Sequence, residues 1–138
     1  MRVLSLDIGE KRIGFAISDT GLKVALGLRV YERKTWEKDL EEIEKIVKEH
    51  EVEEIVIGIP KDMRGKIGKN GKKVEEFAEE VRKKLGKQII LWDERFSTNE
   101  AHRIMDLKEV NHKKRKKYID IMAAQIILQG YLNARKQE

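Results

Sequence analysis

The chain has 138 residues, 40% of them charged, with a single proline and no cysteine. That length suits one domain over residues 1–138, and no apolar run reaches the ~18–20 residues of a membrane span. The absence of cysteine excludes disulfides and thiolate metal sites, and with no secretory leader pattern it points to a cytoplasmic setting.

Residues 2–8 alternate, with Leu4, Leu6 and Ile8 on one face and Val3, Ser5 and Asp7 on the other, which predicts a first strand. Gly9–Arg12 reads as a turn, Ile13–Ser18 as a returning strand, and Thr20-Gly21 as a second turn into a strand over Lys23–Tyr31. The period then becomes helical. Thr35 is the expected N-cap of a helix whose apolar stripe is Leu40, Ile43, Ile46 and Val47, ending near His50. Glu54–Ile59 reads as a β-branched run closed by Pro60, the pattern of a buried strand.

A basic loop is expected over 61–73, where Lys61, Arg64, Lys66, Lys69, Lys72 and Lys73 face one acid, Asp62. Val74, Phe77, Ala78, Val81 and Leu85 then hold helical spacing up to Gly86, a C-cap signal. Gln88–Asp93 reads as a strand, and Ser97 with Glu100 has capping-box spacing for a helix through Leu107. A second basic loop over 108–117 sets Lys108, Lys113, Lys114, Arg115, Lys116 and Lys117 against Glu109. The last helix is expected from about Lys117 to Ala134. The two basic stretches carry +5 each, so the rest of this +5 chain is acidic, at −5. Positive charge gathered in this way suits a polyanion such as nucleic acid, with salt-sensitive contacts.

The order βββαβαβαα predicts an α/β fold with a five-stranded mixed sheet and helices on both faces. If the first, fourth and fifth strands are parallel, right-handed crossovers bring Asp7, the 61–73 loop and Glu94 to one sheet edge. Open α/β sheets bind ligands at that edge.

Three acids stand where desolvation is costly: Asp7 and Glu94 at strand ends, and Asp120 on the helical face of Ala123, Ala124, Ile127 and Tyr131. Each has an ordinary alternative, as a turn residue, a partner of Arg95 or a first-turn helix acid. Together they suit a divalent cation, because hard oxygen ligands hold Mg²⁺ or Mn²⁺. Two such ions about 4 Å apart clamp the attacking and leaving oxygens of a phosphodiester. In that reading Asp7, Glu94 and Asp120 are both catalytic and metal-binding. Asp93 is the less suitable ligand, since strand alternation turns it away from Glu94.

These residues also resemble a known family. Asp7–Gly14 with Ser18-Asp19, Gly58-Ile59-Pro60 with Met63 and Gly65, Asp93–Thr98, and Ile119-Asp120 with Ala123-Ala124 and Ile127-Leu128 are similar to the four motifs of the YqgF/RuvX family. The resemblance runs through essentially the whole chain in the right order. It implies a ribonuclease H-like fold of strand order 3-2-1-4-5 and metal-dependent cleavage of nucleic acid by Asp7, Glu94 and Asp120. The family was first associated with Holliday-junction resolution and is now linked to 5′-end processing of pre-16S ribosomal RNA. Asp62 and Arg64 stand where neutral or acidic residues are commoner.

Lys11, Arg12, Lys61, Arg64, Lys66, Lys69, Arg95, Lys113, Lys114 and Arg115 are the expected contacts to the nucleic-acid backbone. Gly9 and Gly14 would let a phosphate approach Asp7. Ser97 reads as an N-cap, His112 as a residue of the second basic loop that could touch RNA without a catalytic role, and Trp36 and Trp92 as core residues. The expected partner is pre-ribosomal RNA or branched DNA, and the expected state a monomer or weak homodimer. Two rivals remain at this point. Actin-like ATPases and sugar kinases also place Asp-x-Gly on a first hairpin, although they need two such domains. A non-catalytic RNA-binding module would keep the basic loops without turnover.

Overall fold

The computed structural model describes residues 1–62, 64–94 and 112–136, with the backbone alone for 112–117. Its elements are β1 (Arg2–Ile8), β2 (Arg12–Ser18), β3 (Ala25–Glu32), α1 (Trp36–Glu49), β4 (Val52–Ile59), α2 (Lys69–Leu85), β5 (Gln88–Asp93) and α3 (His112–Arg135). They form a five-stranded sheet of order β3-β2-β1-β4-β5. The three-strand meander is antiparallel, whereas β1, β4 and β5 run parallel. The mixed α/β sheet expected from the alternation of strand and helix patterns is therefore present, in the expected order.

Alternation along β1 divides the core. Leu4, Leu6 and Ile8 join Phe15, Ile43, Ile46, Ile57, Phe77 and Val81 on the face covered by α1 and α2. Val3 joins Ala16, Val56, Ala124, Ile127 and Leu128 on the face covered by α3. Helices thus cover both faces. Burying one large apolar side chain stabilises by about 1.5–3 kcal/mol, so the helix stripes lock the sheet from both sides.

Local signals set the boundaries of the first two helices. The Thr35 side chain accepts from the Lys38 amide at 3.2 Å, and Gly86 ends α2 in the left-handed conformation at φ 63°. Two expected boundaries were wrong. Lys69, Lys72 and Lys73 belong to α2 rather than to a loop, because Gly71 is buried within its first turn instead of ending the chain's direction. The last helix begins at His112, so residues 113–115 are helical rather than part of a second loop. Lysine and arginine are good helix formers, and nothing in that run stops a helix. Asp120 therefore lies two turns inside α3, which removes the helix-start explanation for an acid there. The helix expected over 97–107, Arg95, Met63 and His102 fall outside the described residues. No helix among the described residues is long and apolar enough to cross a membrane.

Trp36 corrects another expectation. It is 42% exposed and stands edge-on to Phe77 at 5.2 Å between centroids. Trp92 is partly buried, edge-on to Tyr131 at 5.8 Å.

Candidate active site

The carboxyl ends of the parallel strands place two of the three acids together. Asp7 is the penultimate residue of β1, and Glu94 follows β5 directly. The Glu94 amide donates to the Ile59 carbonyl at 3.2 Å, which extends the parallel ladder by one residue and fixes Glu94 at the end of β4. From there its side chain reaches across β4 to a hydrogen bond with Asp7.

Gly58 makes this reach possible. A Cβ at Gly58 would lie 2.5 Å from Glu94 Oε2 and 2.5 Å from Ile127 Cδ1, so any side chain here would evict the acid or lift α3. A glycine inside an otherwise β-branched strand signals such a close approach. That signal was present in the sequence, and it was overlooked as a part of the site.

Two like charges side by side cannot both remain ionised in a desolvated place. Burial pushes Asp7 from 3.8 up to about 6, with the Glu94 hydrogen bond opposing the rise and the Asp120 charge adding to it. Burial again acts first on Glu94, and with the Asp7 charge it takes this group from 4.5 to about 9. At neutral pH the two hold one proton between them, with Glu94 the donor and Asp7 the acceptor.

Asp120 arrives from the opposite side. Asp7 and Gly14 are cross-strand partners, and a Cβ at Gly14 would fall 2.1 Å from the backbone oxygen of Asp120. The space at Gly14 is thus filled by the α3 backbone, and a phosphate does not take it, contrary to the expectation from sequence. Buried Ala123 and Ala124 follow one turn on, and the Ser5 hydroxyl donates to the Ala124 carbonyl at 2.7 Å. These small groups seat α3 against β1 and β2. The Asp120 side chain is close enough to Asp7 to raise its pKa, yet its Oδ2 accepts from Arg12 Nε at 2.9 Å. Hydrogen bonding and charge from Asp120 raise the pKa of Arg12 in turn. The three acids therefore converge as a proton-sharing pair and a separately neutralised third. Among the described residues no three acids or histidines surround one common point closely enough to hold an ion.

The Arg12–Asp120 pair and a second device were not read from the sequence. Arg33 Nε donates to Asp39 Oδ2 at 3.0 Å and its Nη1 to the Gly9 carbonyl at 2.9 Å, while its backbone amide donates to the Lys11 carbonyl at 2.8 Å. Asp39 is fully buried and also accepts from the Lys34 amide at 2.9 Å. A buried ion pair thus clamps the β1–β2 turn. Gly9 itself is ordinary turn chemistry, donating to the Arg12 carbonyl at 2.8 Å.

The basic candidates divide. Lys11 and Lys69 are exposed, Lys61 is half-buried beside Pro60, and Arg64 and Lys66 are exposed on the loop after β4. Asp62 organises that loop: its Oδ1 accepts from the amides of Arg64 and Lys66, each at 2.9 Å. Asp62 is therefore a turn-former that presents its basic neighbours. Arg12 is engaged with Asp120 rather than solvated. Arg95 lies outside the described residues. Lys113, Lys114 and Arg115 lie on the first turns of α3, and only their backbone is described.

The donors available to a cation are all carboxylate oxygens, and the Asp7–Glu94 pair already holds a proton in place of a positive charge. That is the chemistry a hard divalent ion fits, because it relieves the same repulsion more completely.

Comparison with known proteins bears on this geometry. A family model described as "RuvX: Holliday junction resolvase" matches residues 1–134. A relative from Caldanaerobacter subterraneus subsp. tengcongensis, named "Putative pre-16S rRNA nuclease", is 46% identical over 137 residues, 99% of each chain. One of the same name from Halothermothrix orenii is 48% identical, covering 96% of this chain and 95% of its own. Among solved structures, T. thermophilus RuvC in complex with a Holliday junction substrate superposes with a TM-score of 0.63 at 13% identity, over 99% of this chain and 96% of its own. The fowlpox virus Holliday junction resolvase gives 0.59 at 16%, over 97% and 99%. The structural likeness establishes the resolvase-like, ribonuclease H-like fold.

Proposed function

The chain belongs to the RuvX family, and on that premise we propose that it is a divalent-metal-dependent nuclease acting on structured nucleic acid. Its substrate in this reading is the 5′ end of pre-16S ribosomal RNA, in keeping with the name its relatives carry. The observation that supports the reading most is the proton-sharing pair of Asp7 and Glu94 at the carboxyl edge of the sheet. A structural role does not require two acids to be desolvated against each other.

Asp7 and Glu94, completed by Asp120, would hold Mg²⁺ or Mn²⁺. Bound there, the ion supplies a water nucleophile at neutral pH and charge relief at the leaving oxygen. The remaining work falls to the chain's own groups. Gly58 and Gly14 let the acids stand close, and the Arg33–Asp39 clamp fixes the turn that carries Lys11 and Arg12. Lys11, Arg64, Lys66 and Lys69 stand ready for phosphate oxygens around the same sheet edge, where basic side chains position a backbone without reading its bases. Arg95, Lys113, Lys114 and Arg115 are proposed to extend that grip. A cytoplasmic location, a single domain and a monomeric or weakly dimeric state belong to the same proposal.

Branched DNA is the competing substrate, since the family's own description is that of a Holliday junction resolvase. End-labelled precursor 16S RNA and a DNA four-way junction, incubated side by side across a Mg²⁺ and Mn²⁺ titration, separate the two. Metal-dependent cleavage confined to the RNA supports the proposal. Cleavage of the junction alone favours the rival substrate, and no cleavage of either leaves a binding module.

A further inference from the structure

Among the described residues, a cationic side chain pairs with Asp120 and with neither Asp7 nor Glu94. Asp120 Oδ2 receives Arg12 Nε at 2.9 Å, in a contact where the acid side chain is 19% exposed and the arginine 33%. Arg12 opens β2 immediately after the turn, two residues before Gly14, so it shares the sheet face of Gly14 and its cross-strand partner Asp7. The guanidinium therefore stands on the sheet face that carries Asp7, with its Nε fixed on the third acid.

The charges account for this arrangement. Three carboxylates converge here, and the Arg12 guanidinium already occupies Oδ2 of one of them, Asp120. A divalent cation held by Asp7 and Glu94 would meet the Arg12 guanidinium as a competitor for Asp120.

We propose that Arg12 is an exchangeable counter-ion. It holds Asp120 in the metal-free protein, yields that acid to the cation, and turns its freed guanidinium to a phosphate oxygen of the bound strand. The planar fork of arginine suits both partners, because carboxylate and phosphate present the same spacing of oxygens. A partly exposed pair is weak enough to open. The exchange couples metal loading to substrate capture: the site gains its phosphate-binding cation only when the acids are loaded.

This inference rests on the nuclease reading, and metal binding separates the two. Mn²⁺ affinity is measured without nucleic acid, by electron paramagnetic resonance of the free ion, for the wild type, Arg12→Ala, Arg12→Gln and Asp120→Asn, with circular dichroism to verify folding. Removal of the competing guanidinium should tighten Mn²⁺ binding by about two- to fivefold, the scale of one partly exposed ion pair, while KM for precursor RNA rises. Arg12→Gln keeps the length of the side chain and should behave in the same way if Arg12→Ala folds poorly. Unchanged or weakened Mn²⁺ binding in a folded Arg12 variant overturns the exchange. If Asp120→Asn weakens Mn²⁺ binding while the Arg12 variants do not change it, the nuclease reading stands and only the exchange fails. If the wild type binds no Mn²⁺, both fall.

Discussion

Glu94 donates a hydrogen bond to Asp7 across the width of β4, although the strands that carry the two acids are not neighbours in the sheet. The contact exists because Gly58 leaves the intervening strand bare at that point.

One consequence concerns pH. Both acids have raised values in the folded protein, about 6 for Asp7 and about 9 for Glu94, against 3.8 and 4.5 ordinarily. The folded state then binds more protons than the unfolded chain, so stability is fully present below about pH 4 and declines as pH rises toward 9. The slope is about 1.4 kcal/mol per pH unit for each extra proton held. Urea denaturation of metal-free protein between pH 4.5 and 9 should show this decline, and Glu94→Gln should flatten it. A wild type that grows more stable over that range would contradict the shared proton.

The close seat of α3 on Gly14 gives a second expectation. Gly14→Ala puts a methyl group into the backbone of Asp120, and overpacking of this kind costs about 1–3 kcal/mol. It should also shift Asp120 from its place and lower turnover in variants that remain folded. Chemical denaturation and steady-state kinetics on the same preparation check both. A variant as stable and as active as the wild type would show that α3 has room to spare.

The clamp on the β1–β2 turn is expected to matter for folding. Asp39→Ala leaves Arg33 without its acid in a site where that side chain is only 15% exposed. Breaking a buried pair from one side costs about 3–5 kcal/mol. The urea midpoint should fall accordingly, and the double variant Asp39→Ala with Arg33→Met should recover part of the loss. Equal midpoints for wild type and Asp39→Ala would remove the clamp from the account.

Substrate grip should be electrostatic. Arg64 and Lys66 are exposed on the loop that Asp62 shapes, so replacing both with alanine should weaken binding of RNA of any sequence. The slope of log K against log salt should fall by about 1 for each lost phosphate contact. Fluorescence anisotropy at several salt concentrations measures it, and an unchanged slope would place the RNA elsewhere.

The fold was legible because its signals are local. Period-two alternation marked β1, the Thr35 and Gly86 caps bounded helices, and Pro60 closed β4. The positions of Asp7 and Glu94 followed from strand direction alone, since parallel strands share a carboxyl edge. What stayed hidden depends on contacts between distant segments. No spacing announces that Arg12 meets Asp120, or that Arg33 reaches back to Gly9. The lysine run before Tyr118 was misjudged for a different reason: charge suggested a loop, whereas helix propensity governs the backbone there. Gly58 was legible in principle, as a glycine that interrupts a β-branched strand.

The most direct measurement is single-turnover cleavage of precursor RNA by Asp7→Asn at saturating Mg²⁺, beside RNA binding by the same protein. Loss of a carboxylate from the shared pair should cut cleavage by about 10³-fold or more while RNA affinity stays within about twofold of wild type. Cleavage at the wild-type rate by a folded Asp7→Asn protein would contradict the assignment of these acids as the seat of hydrolysis.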